Sequence, residues 1–333
     1  MKFLGRPDIS FVLIHTAILL IVFAGISQKA AAEDADQKPA MPKSFMVIST
    51  GIRNSDEYLL GSTICKMVNL RSKENNIYCS ITSSSGPIMN VDRMRRGNAD
   101  FIILKSSKIL QAVKGSSAFA NPRPFKDLRA VMTGYTQDLT FLTSKKSKIE
   151  KFVDFQGKIV NVDDDLDGAA TLTELLNGEN KDPFVIDKQN TDFSKQTTGL
   201  CTDTFSVVAV EVAHRNDELG RVVEQCGLNI VGLEQSMVKR LAAKNSYLSE
   251  TVIAANTYPH QTVDVQTVGE GVSVVTTKST DPKLVNSLVS SVVGQLTKFR
   301  NAMPFLRNAN VLDLQPKTEF IQLYPGIESS FQQ

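Results

Sequence analysis

Short, unbroken apolar runs set between polar loops and helical patterns constrain this chain more than any other feature. Residues 100–104 (DFIIL) and 205–212 (FSVVAVEV) are too short for independent helices and too apolar to leave one face in water. They read as strands covered on both sides. Residues 44–49, 77–81, 128–135, 139–143, 159–162 and 229–233 read as further strands. Helical periodicity falls between them, in a helix ending near Leu70 and over 89–96, 216–225 and 235–244. Asp281 and Pro282 supply an N-cap and a first-turn proline, after which Leu284, Val285, Leu288, Val292, Leu296 and Phe299 form one stripe. Alternation of this kind predicts βαβ units, a mostly parallel sheet and an α/β fold.

With 333 residues and 42% apolar content the chain can bury one or two sizeable cores. Its first 32 residues read as a secretory signal. Lys2 and Arg6 precede the apolar run 11–26, and Ala30, Ala31 and Ala32 offer a cleavage site near Ala32. The rival reading is a retained membrane anchor, because the run approaches the length of a span. Residues 33–43, polar with two prolines, read as a flexible tether. Cleavage removes Lys2, Arg6, Lys29 and Asp8 from 37 basic and 35 acidic residues, leaving 34 of each. A net charge near zero argues against a nucleic-acid partner or an anionic membrane surface.

Export also bears on the cysteines. Four cysteines outside the cytoplasm suggest two disulfides, with three pairings open. Cys65 and Cys79 lie 14 apart and Cys201 and Cys226 lie 25 apart, spacings of neither a redox nor a zinc motif.

The polar chemistry concentrates in residues 157–176 (GKIVNVDDDLDGAATLTELL), which read as strand, loop and helix. Ligands of α/β sheets bind where strands end and helices present free N–H groups. Asp163-x-Asp165-x-Asp167-Gly168-x5-Glu174 also fits the twelve-position calcium loop, with Ala169 placed to offer its carbonyl. Against calcium, a strand rather than a helix precedes the loop. Acids at a helix N-terminus can also simply face water, stabilised by the dipole. Glu211 ends a buried strand and should point into a cleft, unless it pairs with a lysine. His214 stands beside the same strand end, where a lone histidine is more often a hydrogen-bonding structural residue than a ligand.

Taken in order, several segments resemble one family. Ile64-Cys65-Lys66-Met67-Val68-Asn69, Ile77-Tyr78-Cys79-Ser80, Met94-Arg95-Arg96-Gly97-Asn98-Ala99-Asp100 and Pro124-Phe125-Lys126-Asp127-Leu128-Arg129-Ala130-Val131 form its first half. Asp154-Phe155-Gln156-Gly157-Lys158, Leu200-Cys201, His214, Asn216, Cys226 and Leu323-Tyr324-Pro325-Gly326 continue it. The collinear set is similar to the TAXI-type (TRAP-associated extracytoplasmic immunogenic) solute-binding proteins across residues 46–326. The resemblance implies the pairings Cys65–Cys79 and Cys201–Cys226. It also implies a type II periplasmic-binding-protein fold, two α/β lobes with a ligand cleft between them. Lobe one would comprise 44–136 and 280–333, and lobe two 137–279. Members carry small carboxylates such as glutamate or 2-oxoglutarate to a TRAP permease in the periplasm.

The pocket departs from that pattern. The glycine-rich first loop becomes Thr50 to Tyr58, keeping one tyrosine, and a serine-rich loop survives as Ser83-Ser84-Ser85-Gly86. Lys105-Ser106-Ser107 follows the third strand where the family has glutamine, serine and aspartate. Asp163 to Asp167 replaces a glycine-rich run, and Ala170 stands where the family has a carboxylate-clamping arginine. Arg53 and Lys105 could supply replacement cations from lobe one, opposite the aspartates. The expected ligand set is therefore Thr50, Arg53, Asn54, Tyr58, Ser84, Ser85, Gly86, Lys105, Ser106, Asp167, Gly168, Glu211 and His214. The expected role is non-enzymatic binding of a small polar solute, glutamate-like, 2-oxoglutarate-like or zwitterionic, with no cofactor, calcium in the acidic loop being the alternative. The alternative is a divergent sensor or interaction protein that no longer carries solute.

Overall fold

The computed structural model describes residues 44–120, 124–163, 169–178, 183–189, 193–316 and 320–332. The signal segment, the tether and residues 164–168 of the acidic loop lie outside the described residues. The first half runs β1 (Ser44–Ser49), α1 (Asp56–Leu70), α2 (Ser72–Asn75), β2 (Ile77–Thr82), α3 (Pro87–Arg95), β3 (Phe101–Lys105) and α4 (Ser106–Lys114). A long strand β4 (Leu128–Thr143) leads to β5 (Ile159–Asp163), α5 (Ala169–Gly178), β6 (Val185–Gln189) and α6 (Phe193–Cys201). Then come β7 (Val207–Val212), α7 (Asp217–Cys226), β8 (Asn229–Val231), α8 (Gln235–Lys244) and β9 (Leu248–Ile253). A second long strand, β10 (Val265–Thr277), precedes α9 (Pro282–Val293) and α10 (Leu296–Asn301).

The strands form one curled sheet in the order β2-β1-β3-β10-β4-β7-β5-β6, with β8 on β4 and β9 on β10. Two α/β lobes share it. β1 pairs in parallel with β2 and β3, and β5 in parallel with β6 and β7. Between these groups β4 and β10 run antiparallel to each other and to their neighbours, so the sheet is mixed rather than mostly parallel. Residues 128–135 and 139–143, which read as two strands, are halves of β4. Gln137 and Asp138 look like turn residues in sequence, yet they pair across to Glu270 and Gly269 within the ladder. The stripe after Asp281 is likewise two helices, α9 and α10, with Gly294 between them.

Each lobe has its own apolar packing. Met46, Ile48, Ile64, Phe101, Val285 and Phe299 belong to one cluster of the first lobe. Phe141, Phe152, Phe155, Val160, Leu172 and Val207 belong to one cluster of the second. The crossing strands feed both: Met132 and Val272 lie in the first cluster, Phe141 and Val268 in the second. Both disulfides occur in the implied pairings. Cys65–Cys79 ties α1 to β2 and Cys201–Cys226 ties α6 to α7. Loops of this length contribute about 3 kcal/mol each by restricting the unfolded chain. Among the described residues no helix is long and apolar enough to cross a membrane.

Candidate functional site

Register alone brings four polar residues to one face of the sheet where the lobes meet. Lys105 of β3 lies opposite Val272 of β10, Glu270 opposite Gln137 of β4, and Leu139 of β4 opposite Glu211 of β7. Side chains alternate along a strand, so Val272 and Glu270 share a face, as do Gln137 and Leu139. Lys105, Glu270, Gln137 and Glu211 therefore form a diagonal row across four strands. A cavity of about 490 Å³ opens over this row. From the first lobe it is lined by Asn54, Asp56, Glu57, Ser85, Gly86 and Asn90. Ala169, Phe193, Gln196, Asn216 and Glu218 line it from the second.

The loops that reach the cavity are held by their own polar residues. Ser55 caps α1 by accepting a hydrogen bond from Tyr58 N at 3.2 Å, which sets Asp56 and Glu57 in the first turn, where the helix dipole favours negative charge. Buried Ser84 donates to the Thr50 carbonyl at 2.8 Å and accepts from Gly86 N at 3.1 Å, locking the first two loops together. Ser106 Oγ donates to the Gly271 carbonyl at 3.1 Å, and Glu270 Oε2 accepts from Ser107 N at 3.0 Å. These contacts pin the start of α4 to β10.

Lys105 Nζ donates to Glu211 Oε2 at 2.7 Å, and their side chains are only 14% and 2% exposed. This ion pair joins the last residue of a first-lobe strand to a second-lobe strand. Burial on its own would lower the Lys105 pKa, but Glu211, Glu270 and Glu57 more than offset it and hold the ammonium charged. Burial, with Glu270 and Glu57, pushes the Glu211 carboxyl up to about 7 against the pull of Lys105. Asp56 is raised to about 6 by burial and by Glu57, opposed by Gln137 and Lys105. The Lys105 ammonium thus interacts with several carboxylates at once, Glu211, Glu270 and Glu57. Lys108 also lines the cavity, facing an acidic set that includes Asp56, Glu57, Glu211 and Glu218.

The expected ligand residues divide into several groups. Asn54, Ser85, Gly86, Lys105 and Glu211 line the cavity. Thr50, Ser84 and Ser106 support it through the contacts above, Thr50 being fully buried beneath the loop. Arg53 is exposed and Tyr58 half-buried, and neither is among the lining residues. Lys105 is bonded to Glu211. His214 instead lines a separate cavity of about 690 Å³. There it sits between Thr140 Oγ1 at 3.0 Å and the Tyr258 hydroxyl at 2.6 Å, and burial lowers its pKa to about 4, so it is neutral. Both of its ring nitrogens thus have hydrogen-bond partners within the protein.

Asp167 and Gly168 lie outside the described residues, as does Asp165 of the calcium set, and Asp163 is described only as the end of β5. Ala169 is buried at the start of α5, and Glu174 pairs with Lys188 at 2.7 Å.

Sequence reasoning passed over Gln137 and Glu270. Gln137 falls between the two halves of β4. Glu270 lies in VQTVGEGVSVVTT, whose glycines obscure a strand signal, although a lone acid in an apolar run is itself a mark of a buried polar role.

The fold matches a TctC solute-binding protein from Polaromonas with a TM-score of 0.52 and 12% identity, over 79% of this chain and 88% of that one. XAC2383 from Xanthomonas citri, solved bound to ATP, aligns with a TM-score of 0.49 and 13% identity over 86% and 94% of the two chains. The sequence profile of the NMT1-like family matches residues 48–332, and the chain belongs to that family.

Proposed function

We propose that this chain is the extracytoplasmic solute-binding component of a transporter. It acts in the periplasm, binds a small polar solute between its lobes and hands it to a membrane permease of the TRAP type. The observation that carries the reading is the cavity over the crossing of β4 and β10, with a polar floor and walls drawn from both lobes. Small-solute sites are concave, largely formed in advance and equipped with a few convergent polar groups. Membership of the NMT1-like family and the two-lobed fold shared with the Polaromonas solute-binding protein support a binding role rather than a catalytic one. The TRAP assignment rests on the collinear TAXI resemblance, as do the lobe boundaries 44–136 with 280–333, and 137–279. The solute classes it brings are glutamate-like, 2-oxoglutarate-like and zwitterionic molecules.

A second reading is favoured by the Lys105–Glu211 pair, which joins the lobes without a ligand. In it the protein is a sensor whose lobes close on their own charges.

Thermal melting of the purified mature protein with millimolar glutamate, 2-oxoglutarate, basic amino acids and polyamines tests the binding role. A bound solute at 100 times its Kd stabilises by about 2.7 kcal/mol, so at least one is expected to raise Tm by several degrees. A Tm indifferent to all of them sinks the transport reading.

A further inference from the structure

The face that Glu211 and Gln137 share is short of hydrogen-bond donors. Glu211 spends Oε2 on Lys105, while its buried Oε1 has no hydrogen-bond partner among the described residues. Gln137 is 7% exposed, and its Oε1 is likewise buried without a partner. Gln137 also lines the cavity, on the same face as Glu211. Glu211 opposes Leu139, two residues along β4 from Gln137, so the two side chains are diagonal neighbours on the face beneath the cavity. Leaving two acceptors unmade in a water-poor site costs of order 1–3 kcal/mol each. A ligand that supplies donors removes that cost.

The charge balance says which donor fits. A carboxylate or phosphate placed over this floor meets Asp56, Glu57, Glu211 and Glu218 in the lining, against two ammonium groups, Lys108 and Lys105, of which Lys105 is bonded to Glu211. A hydroxyl brings one donor together with lone pairs that have nothing to accept from. A primary ammonium brings three donors, no acceptor and a positive charge.

We infer that the solute carries a protonated primary amine, seated between Gln137 Oε1 and Glu211 Oε1 over the crossing strands. This rests on the solute-binding reading and narrows it: the amine is the obligatory end of the solute, and any carboxylate it bears lies away from the floor. Asp56 and Glu57, in the first turn of α1, add to the negative potential that the ammonium enters.

Titration calorimetry at pH 7.5 with pairs differing in the amine tests the inference: glutamate against 2-oxoglutarate, and putrescine against 1,4-butanediol. In at least one pair the amine is expected to bind about tenfold or more tightly than its amine-free partner, as for loss of one charge-assisted hydrogen bond. Gln137→Met, close in volume and lacking the oxygen, is expected to weaken that amine about tenfold while leaving the melting temperature of the free protein within a few degrees. Glu211→Gln keeps the shape, removes the charge and is expected to weaken it further. If the amine-free partner binds as tightly in every pair that gives heat, or Gln137→Met binds the amine unchanged, the amine seat is wrong while the solute-binding reading survives. If no member of either pair gives heat, the amine seat falls, and the solute-binding reading falls with it only if the melting temperature is also indifferent to every solute tested above.

Discussion

Lys105→Met is expected to destabilise the protein by about 3–5 kcal/mol at pH 8, the usual cost of removing one partner from a buried ion pair. The variant leaves Glu211, 2% exposed at its side chain, beside Glu270 and Glu57 without the ammonium it is bonded to. Chemical denaturation of Lys105→Met, Glu211→Met and the double variant would show whether the pair or either charge is at fault. The double variant should recover most of the loss, because it leaves no uncompensated partner.

The deficit is also expected to depend on pH. The Glu211 carboxyl in the folded protein sits near 7, above the ordinary glutamate value of 4.5, so between those values the folded state binds more protons than the unfolded one. A carboxyl raised in this way makes the fold less stable as pH rises through that window. Without Lys105 the carboxyl titrates higher still. The loss in Lys105→Met should therefore shrink from pH 8 to pH 5, where Glu211 is neutral and needs no partner. A deficit equal at both pH values would mean that Lys105 acts through packing and not through charge.

Phe155→Ala is expected to cost a similar amount, about 3–5 kcal/mol, as a large buried side chain lost from a packed cluster. Phe155 is fully buried, with its ring centroid 5.1 Å from those of Phe141 and Phe152 and 5.9 Å from that of Phe184. The damage falls in the second lobe, yet Phe141 lies on β4, which also carries Val131 and Met132 into the first-lobe cluster. Because two strands belong to both cores, the variant should still unfold in a single transition shifted to lower denaturant. Two separated transitions, one at the wild-type midpoint, would show that the lobes fold independently.

Most of the architecture was legible because buried parallel strands leave apolar runs that few other structures produce. The strands over 44–49, 100–104 and 205–212 were readable on that ground, and the disulfides followed from resemblance. The crossing strands were harder. β4 reads as two strands because Gln137 and Asp138 interrupt its apolar run, and they do so because that point lies in the cleft, where polar side chains are wanted. β10 is masked by Gly269 and Gly271 on either side of Glu270. A Cβ on Gly269 would lie 2.9 Å from the Gln137 carbonyl, so glycine is there to let β10 approach β4. Local sequence rules thus fail at the crossing, where the candidate site lies. Glu211 was visible as an acid ending a buried strand, and its lysine partner was foreseeable in kind. That the partner is Lys105, from the other lobe, depends on a register set by β10 and so could not be read from either segment. Among the described residues the first lobe brings acids as well as cations to the cavity, Asp56 and Glu57 beside Lys105 and Lys108, while the aspartates expected opposite them lie outside the described residues.

The central claim is that the lobes close on a small solute over the crossing of β4 and β10. Small-angle X-ray scattering of the mature protein, alone and saturated with the solute that raises its melting temperature most, tests it directly. The account predicts a fall in the radius of gyration on adding solute, as hinge closure requires. A free protein that already scatters as the closed form, unchanged when solute binds, would contradict it and favour a sensor held shut by Lys105 and Glu211.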